Sequence, residues 1–264
     1  SALLAGGVAL GVALLGTATA VAVTLFRFPG RRIFEWALLL PLAMPAYVLA
    51  YAVTDALQFS GPLQTWLREA TGARGALWPE VRSLGGAVLL FVLVLYPYVY
   101  LLTRSALAER AAGLLEAARL LGAGLRRRLL AVALPMARPA ITAGVALAVM
   151  ETLADYGVGA YFGLATFSTG IFKAWLVMDD RIAAAQLASM LLAVVALLLW
   201  VERRAQRRMR FAPTRVRGGA EAEPLRLRGA AAAAAVALCA LPVLLGFVLP
   251  VGWLVWMLVQ EMRY

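Results

Sequence analysis

Long apolar runs separated by short polar stretches set the pattern of this chain, and they predict membrane-crossing helices. The first run covers residues 2–26 and meets Arg27, Arg31 and Arg32 only at its far end. A secretory leader carries its basic residues first, so this run reads as a span. Its Gly7 and Gly11 pair is a weak signal for helix contact, and lipid-facing sequence is the plainer expectation. The second run, 36–57, contains Pro41 and Pro45, a kink that is tolerable where neighbouring helices satisfy the freed carbonyls. Residues 58–83 mix Gly, Pro and charge and predict an outer loop, with a short amphipathic piece at 64–70 that either docks a partner or rests on the bilayer. The third run, 84–103, ends in Tyr96, Pro97, Tyr98 and Tyr100, placed as rings at an interface. A fourth span is expected over 140–163. Residues 165–178 are too short to cross and, closed by Asp179 and Asp180, predict a re-entrant or interfacial segment. A fifth span covers 183–201, and a basic linker at 202–229 leads to a sixth run at 230–259, where Pro242 and Pro250 allow a bend. The expected fold class is an all-α integral membrane protein with about six transmembrane helices. The chain opens inside an apolar run without an initiator Met, as a piece cut from a longer protein would.

One polar island stands apart: residues 116–135, EAARLLGAGLRRRLLAVALP. Leu114, Ala118, Leu121, Leu125, Leu129 and Val132 recur at steps of three or four, which gives helix with an apolar stripe. Gly122 permits a backbone conformation barred to other residues, so a short helix, a turn and a second helix is expected. Pro135 and Pro139 mark the bend back into apolar sequence. Helical pattern alone equally fits an amphipathic connector lying on lipid, helped by Arg126, Arg127 and Arg128.

Composition narrows the class further. Hydrophobic residues make up 63% of the 264 and charged residues 15%. A net charge of +11 would suggest nucleic acid in a soluble domain, but here the cations gather in alternate loops, and no nucleic-acid partner is expected. The loops after spans one, three and five hold three, seven and nine arginines of the 25 basic residues. That bias predicts a cytoplasmic island loop, with both ends of the piece facing outward. A single cysteine, Cys239, and no histidine exclude disulfides within the chain, zinc sites and Ser-His or Cys-His catalysis. No GxxxxGK[ST] phosphate loop occurs, so ATP hydrolysis is not expected of this chain.

Glu151 and Asp155 form the second constellation. An ionised group near mid-bilayer costs on the order of 3 kcal/mol, so two in one span need compensation. Their spacing puts both on one helical face, with Tyr156 and Tyr161 nearby in sequence. They line a translocation path or gate, or they pair with an Arg or Tyr of another span, or they lie closer to the outer surface. Carboxylate and phenol oxygens suit a hard cation, without identifying a substrate; whether a metal binds is left open.

The island resembles the "EAA" loop of ABC importer permeases: Glu116, Ala117 and Ala118, then Gly122, then Val132, Leu134 and Pro135, with Val132 where the family has Ile. The resemblance implies a type I ABC importer permease, with this loop as the helix that couples to the ATPase. Three stretches, ETLADYGVGAYFGLATFSTGIFKAW at 151–175, PEVRSLGGA at 79–87 and LYPYVYLLTRSAL at 95–107, resemble ferric-iron permeases. Those fuse two homologous halves. The implied division is 1–201 as the first half with its coupling loop at 105–139, 202–229 as a cytoplasmic linker, and 230–264 as the first helix of the second half. The implied partners are cytosolic ABC ATPase subunits, an external substrate-binding protein, the second permease half and the lipid of a bacterial inner membrane. No cofactor is expected on the chain itself, since ATP acts through the ATPase. Thiamine, sulfate, molybdate and polyamine permeases share the loop. A secondary transporter driven by an ion gradient or a non-transporting membrane scaffold is the alternative from another class.

Overall fold

The structure, a computed structural model, describes residues 1–72, 74–108, 118, 120–208 and 225–262. Among them the helices are α1 (Ala2–Leu25), α2 (Arg31–Ala37), α3 (Ala46–Leu57), α4 (Pro62–Thr71), α5 (Leu84–Ala106), α6 (Leu125–Ala154), α7 (Gly157–Phe162), α8 (Phe167–Val177), α9 (Arg181–Arg208) and α10 (Ala230–Glu261). Five of these, α1, α5, α6, α9 and α10, are long and apolar enough to cross a membrane.

The second crossing is not the single kinked helix expected over 36–57. Residues Arg31–Ala43 and Ala46–Thr71 meet at 91°. Met44, which precedes Pro45, is extended at φ −89° and ψ 117°, as proline requires of its neighbour, and Pro45 has no N–H to bridge the break. The freed carbonyls find donors on α5: the Tyr96 hydroxyl donates to the Leu38 carbonyl at 2.9 Å and Tyr100 to the Glu35 carbonyl at 3.0 Å. Tyr96 and Tyr100 are therefore interior struts, both fully buried, rather than rings of an interfacial belt. Arg31 and Arg104 close on the Glu35 carboxylate at 3.2 and 3.4 Å, tying α2 to the end of α5.

The core is built on close approach. A Cβ at Gly7 would lie 3.0 Å from Val88, one at Gly11 would collide with Val92, and one at Gly16 would lie 2.6 Å from the Val99 Cβ. So Gly7, Gly11 and Gly16 of α1 face α5 and not lipid, and because both series rise together the two helices run parallel. The chain between them must cross back, which makes the bent pair a crossing. Helix α6 enters the same seam from the other direction, with Gly144 against Val99. Leu107, Ala133 and Ala137 pack beside Val21 and Leu25 where α1 and α5 end and α6 begins.

Two-residue strands complete the fold: β1 (Phe26–Arg27) pairs in parallel with β2 (Leu225–Arg226). Arg27, Arg31, Arg104, Arg126–Arg128 and Arg226 thus gather at one end of the bundle. At the opposite end the Phe167 N–H donates to the Ser1 hydroxyl at 3.0 Å. Helix α10 runs unbroken through Pro242 and Pro250 by way of a wide turn at Leu244–Val248, and buries Cys239 against the bundle.

Candidate functional site

The polar island divides into an exposed tip and a packed root. Glu116 and Ala117 lie outside the described residues. At the tip, Gly122 takes φ +77° and the Ala123 N–H donates to the Ala118 carbonyl at 2.9 Å. This six-to-one bond around a left-handed residue ends a helix. Nothing lies within 4 Å of a Cβ placed on Gly122, so its backbone angle and not crowding selects glycine here. Leu120 and Leu121 beside it are 81% and 87% exposed. The apolar stripe expected over residues 114–132 is broken at this turn, where Leu121 is exposed; Leu114 lies outside the described residues.

The root is the start of α6. Val132 packs with Leu107, Ala133 and Ala137 at the foot of α1 and α5, while Leu134 and Pro135 are half-buried in the same helix. Pro135 and Pro139 do not bend the chain as expected. A wide turn at Leu129–Ala133, closed by the Leu134 N–H on the Leu129 carbonyl, carries a single helix past both prolines. The motif therefore joins an exposed apolar tip to the three-helix seam through the short turn at 121–124 and the first turns of α6.

The carboxylate pair lies at the end of a helix and not within one continuous span. Helix α6 stops at Ala154, and Asp155 is extended at ψ 125°. Its Oδ1 accepts the Val158 N–H at 2.8 Å and caps the short α7, a role that suits Asp better than a helix interior. The Asp155 N–H still donates to the Glu151 carbonyl at 3.0 Å, so the two residues stay neighbours at the end of α6. The expected fourth span over 140–163 is instead α6, a break and α7. Glu151, in the last turn of α6, is exposed, and its carboxylate makes no hydrogen bond or ion pair among the described residues.

Tyr156 is 42% exposed and lies against Phe172, ring centroids 4.3 Å apart. Tyr161 is half-buried under the Arg82 guanidinium, whose carbon sits 4.9 Å from the ring centroid, and its carbonyl accepts the Arg82 Nε–H at 3.1 Å. The structure adds neighbours that sequence reasoning missed. Tyr51 of α3 lies 6.2 Å from the Tyr161 ring, and the Asp55 carboxylate accepts the Trp253 Nε1–H at 3.0 Å. Gly157 lets α7 press on α3, since a Cβ there would be 2.8 Å from that of Tyr47. Only the i, i+4 pair of Arg31 and Glu35 left a trace in sequence; Asp55 and Trp253 are 198 residues apart.

The outer loop also folds back on itself. Gln64 is buried, its Nε2 donating to the Leu57 carbonyl at 3.1 Å and its Oε1 accepting the Leu77 N–H at 3.3 Å, while Leu63 and Trp66 point away from the protein. Among the described residues no group of three or more His, Cys, Asp or Glu side chains gathers to hold a metal ion.

Such a bundle, with one crossing broken at Pro45 and a glycine-ended turn at its arginine-rich end, is the architecture of a transport permease. Residues 13–211 match the family model described as "Binding-protein-dependent transport system inner membrane component", and the chain belongs to that family, the type I permeases of ABC importers. It is 26% identical over 195 residues to a Fe(3+)-transport system permease protein of Haemophilus influenzae, covering 74% of this chain and 34% of that protein. To the sulfate transport system permease protein of Escherichia coli it is 29% identical over 183 residues, 67% of this chain and 64% of the relative. The molybdenum transport system permease protein of Escherichia coli shares 32% over 130 residues, 49% of this chain and 55% of the relative. The chain spans between a third and two thirds of the length of these relatives.

Proposed function

We propose that this chain supplies one half of the membrane pathway of an ATP-driven importer for ferric iron, with residues 230–264 as the first span of a second half. The observation that carries the reading is the division of residues 116–135 into an exposed tip at Leu120–Gly122 and a root at Val132 inside the three-helix seam. A cytosolic ATPase that grips the tip moves α6 as a lever against α1 and α5, and the lever rocks the outer end between open and closed. The positive-inside bias supports a cytoplasmic position for the arginine-rich end and an outward position for α7, where an external binding protein delivers its load.

Ferric iron as the cargo rests on oxygen chemistry. The Glu151 carboxylate, unpaired among the described residues, and the Tyr156 phenol, both exposed, offer a hard cation weak successive contacts, whereas carboxylates repel sulfate and molybdate. Oxyanion import is the second reading, favoured by higher identities to the sulfate and molybdenum permeases. The test is uptake of labelled ferric iron, sulfate and molybdate into vesicles holding the permease with its ATPase and binding protein, with and without internal ATP. ATP-dependent iron uptake that the oxyanions do not compete bears the proposal out. Oxyanion uptake keeps the lever and removes the iron; uptake indifferent to ATP removes both.

A further inference from the structure

The arginine-rich end holds a cleft that neither the lever nor the outer path uses. Strand β1 follows directly on α1, and β2 leads through Leu227, Arg228 and Gly229 into α10. Their parallel pairing sets Arg27 beside Arg226, and the Leu227 N–H donates to the Arg27 carbonyl at 3.0 Å. Around this pairing opens a cleft of about 270 Å³ lined by Arg27, Phe28, Pro29, Arg226, Leu227 and Arg228. All three arginines are exposed, and none makes an ion pair among the described residues.

Three guanidiniums around one small cleft repel one another unless an anion is shared between them. Their planar forks match phosphate oxygens better than an ammonium would. The depth of the cleft identifies the source of that phosphate. It lies where apolar α1 ends at Leu25 and apolar α10 begins at Ala230, which is the level of lipid headgroups. Helix α2, next in the chain, turns Ile33 and Trp36 away from the bundle, each 72% exposed, and a tryptophan so placed is at home in that layer. A two-residue strand pair is also too short to hold by itself.

We propose that Arg27, Arg226 and Arg228 bind the phosphate of an anionic phospholipid of the phosphatidylglycerol type, and that this lipid fastens the end of the 202–229 connector to the first span. Native mass spectrometry of the full chain in micelles, titrated with phosphatidylglycerol, phosphatidylcholine or inorganic phosphate, reads the site. The protein is expected to retain a phosphatidylglycerol that R27Q/R226Q/R228Q releases, with affinity falling about fivefold per arginine removed at low salt. Phosphatidylcholine should bind both forms alike. Equal retention of phosphatidylglycerol by the two forms overturns the proposal. Displacement of the lipid by inorganic phosphate alone would make this a site for the free anion and overturn the lipid assignment. A charge-matched control, R74Q/K173Q/R181Q, is expected to keep the lipid; its loss to the same degree reduces the effect to bulk charge and also overturns the site. If the triple variant does not fold, R226Q alone carries the same test with a single fivefold step.

Discussion

Helices α5 and α9 are both apolar spans, yet their surroundings are opposite. Of the residues in the apolar stretch of α5, 61% are buried inside the structure; in α9 only 6% are. Helix α5 lies between Gly16 of α1 and Gly144 of α6, both pressed on Val99, and its tyrosines reach the broken second crossing. Helix α9 carries small residues as well, but Ala185, Ala188 and Ser189 are exposed, as are Leu192 and Trp200. Apolar sequence places a helix in lipid, while burial needs a second surface shaped to meet it. In this chain α5 is enclosed by such surfaces, whereas α9 rests on α6 and α8 along one side, where a Cβ placed on Gly170 would lie 3.5 Å from the Leu187 Cδ1.

The strongest way to break the contrast is to crowd Val99. In Gly144→Leu the new Cβ would sit 2.6 Å from the Val99 Cα and 2.9 Å from its N, both backbone atoms. A loss of about 3 kcal/mol in detergent-monitored unfolding is expected. Gly16→Leu should cost nearly as much, and the double variant less than the sum, because both press on one residue. Unchanged stability in either single variant would mean that the seam does not pack as described.

Next comes the tip. In Gly122→Val the φ of +77° costs on the order of 1–2 kcal/mol, confined to a turn with open space around it. Global unfolding should therefore shift little, while ATP-driven uptake in vesicles falls well below that of the parent; Gly122→Asn should restore part of it. Normal uptake by the Gly122→Val variant would remove the lever from the mechanism. Tyr96→Phe then tests the strut, leaving the Leu38 carbonyl without its donor, for a loss of about 1 kcal/mol in the same unfolding assay. Smallest is Leu192→Ala on α9: with 69% of the side chain exposed, a change within about 0.5 kcal/mol is expected. A much larger loss would reveal that another surface covers α9.

Much of the fold was legible in sequence because hydropathy is a local quantity. The long runs became α1, α5, α6, α9 and α10 with ends displaced by a few residues, and Gly122 sits in the turn its spacing demanded. The misreadings share a cause. Pro135, Pro139, Pro242 and Pro250 stand in helices that continue past them, with wide turns just ahead of Pro135 and Pro250, while Pro45 broke its helix, and local sequence does not tell these outcomes apart. Asp155 was placed inside a span because apolar residues surround it, yet its carboxylate had a nearer use as a cap for α7.

By itself, the sequence determined that the chain crosses a membrane, where its arginines collect, and which short island differs from lipid-facing helix. Those follow from transfer free energies and charge, which each residue carries wherever it lies. The tertiary structure alone decided that α1 and α5 run parallel with glycines between them, that Tyr96 and Tyr100 stand inside to satisfy a broken helix, and that Arg27 meets Arg226. Each of these depends on two surfaces far apart in the chain meeting at van der Waals or hydrogen-bond distance, and no local pattern records the partner.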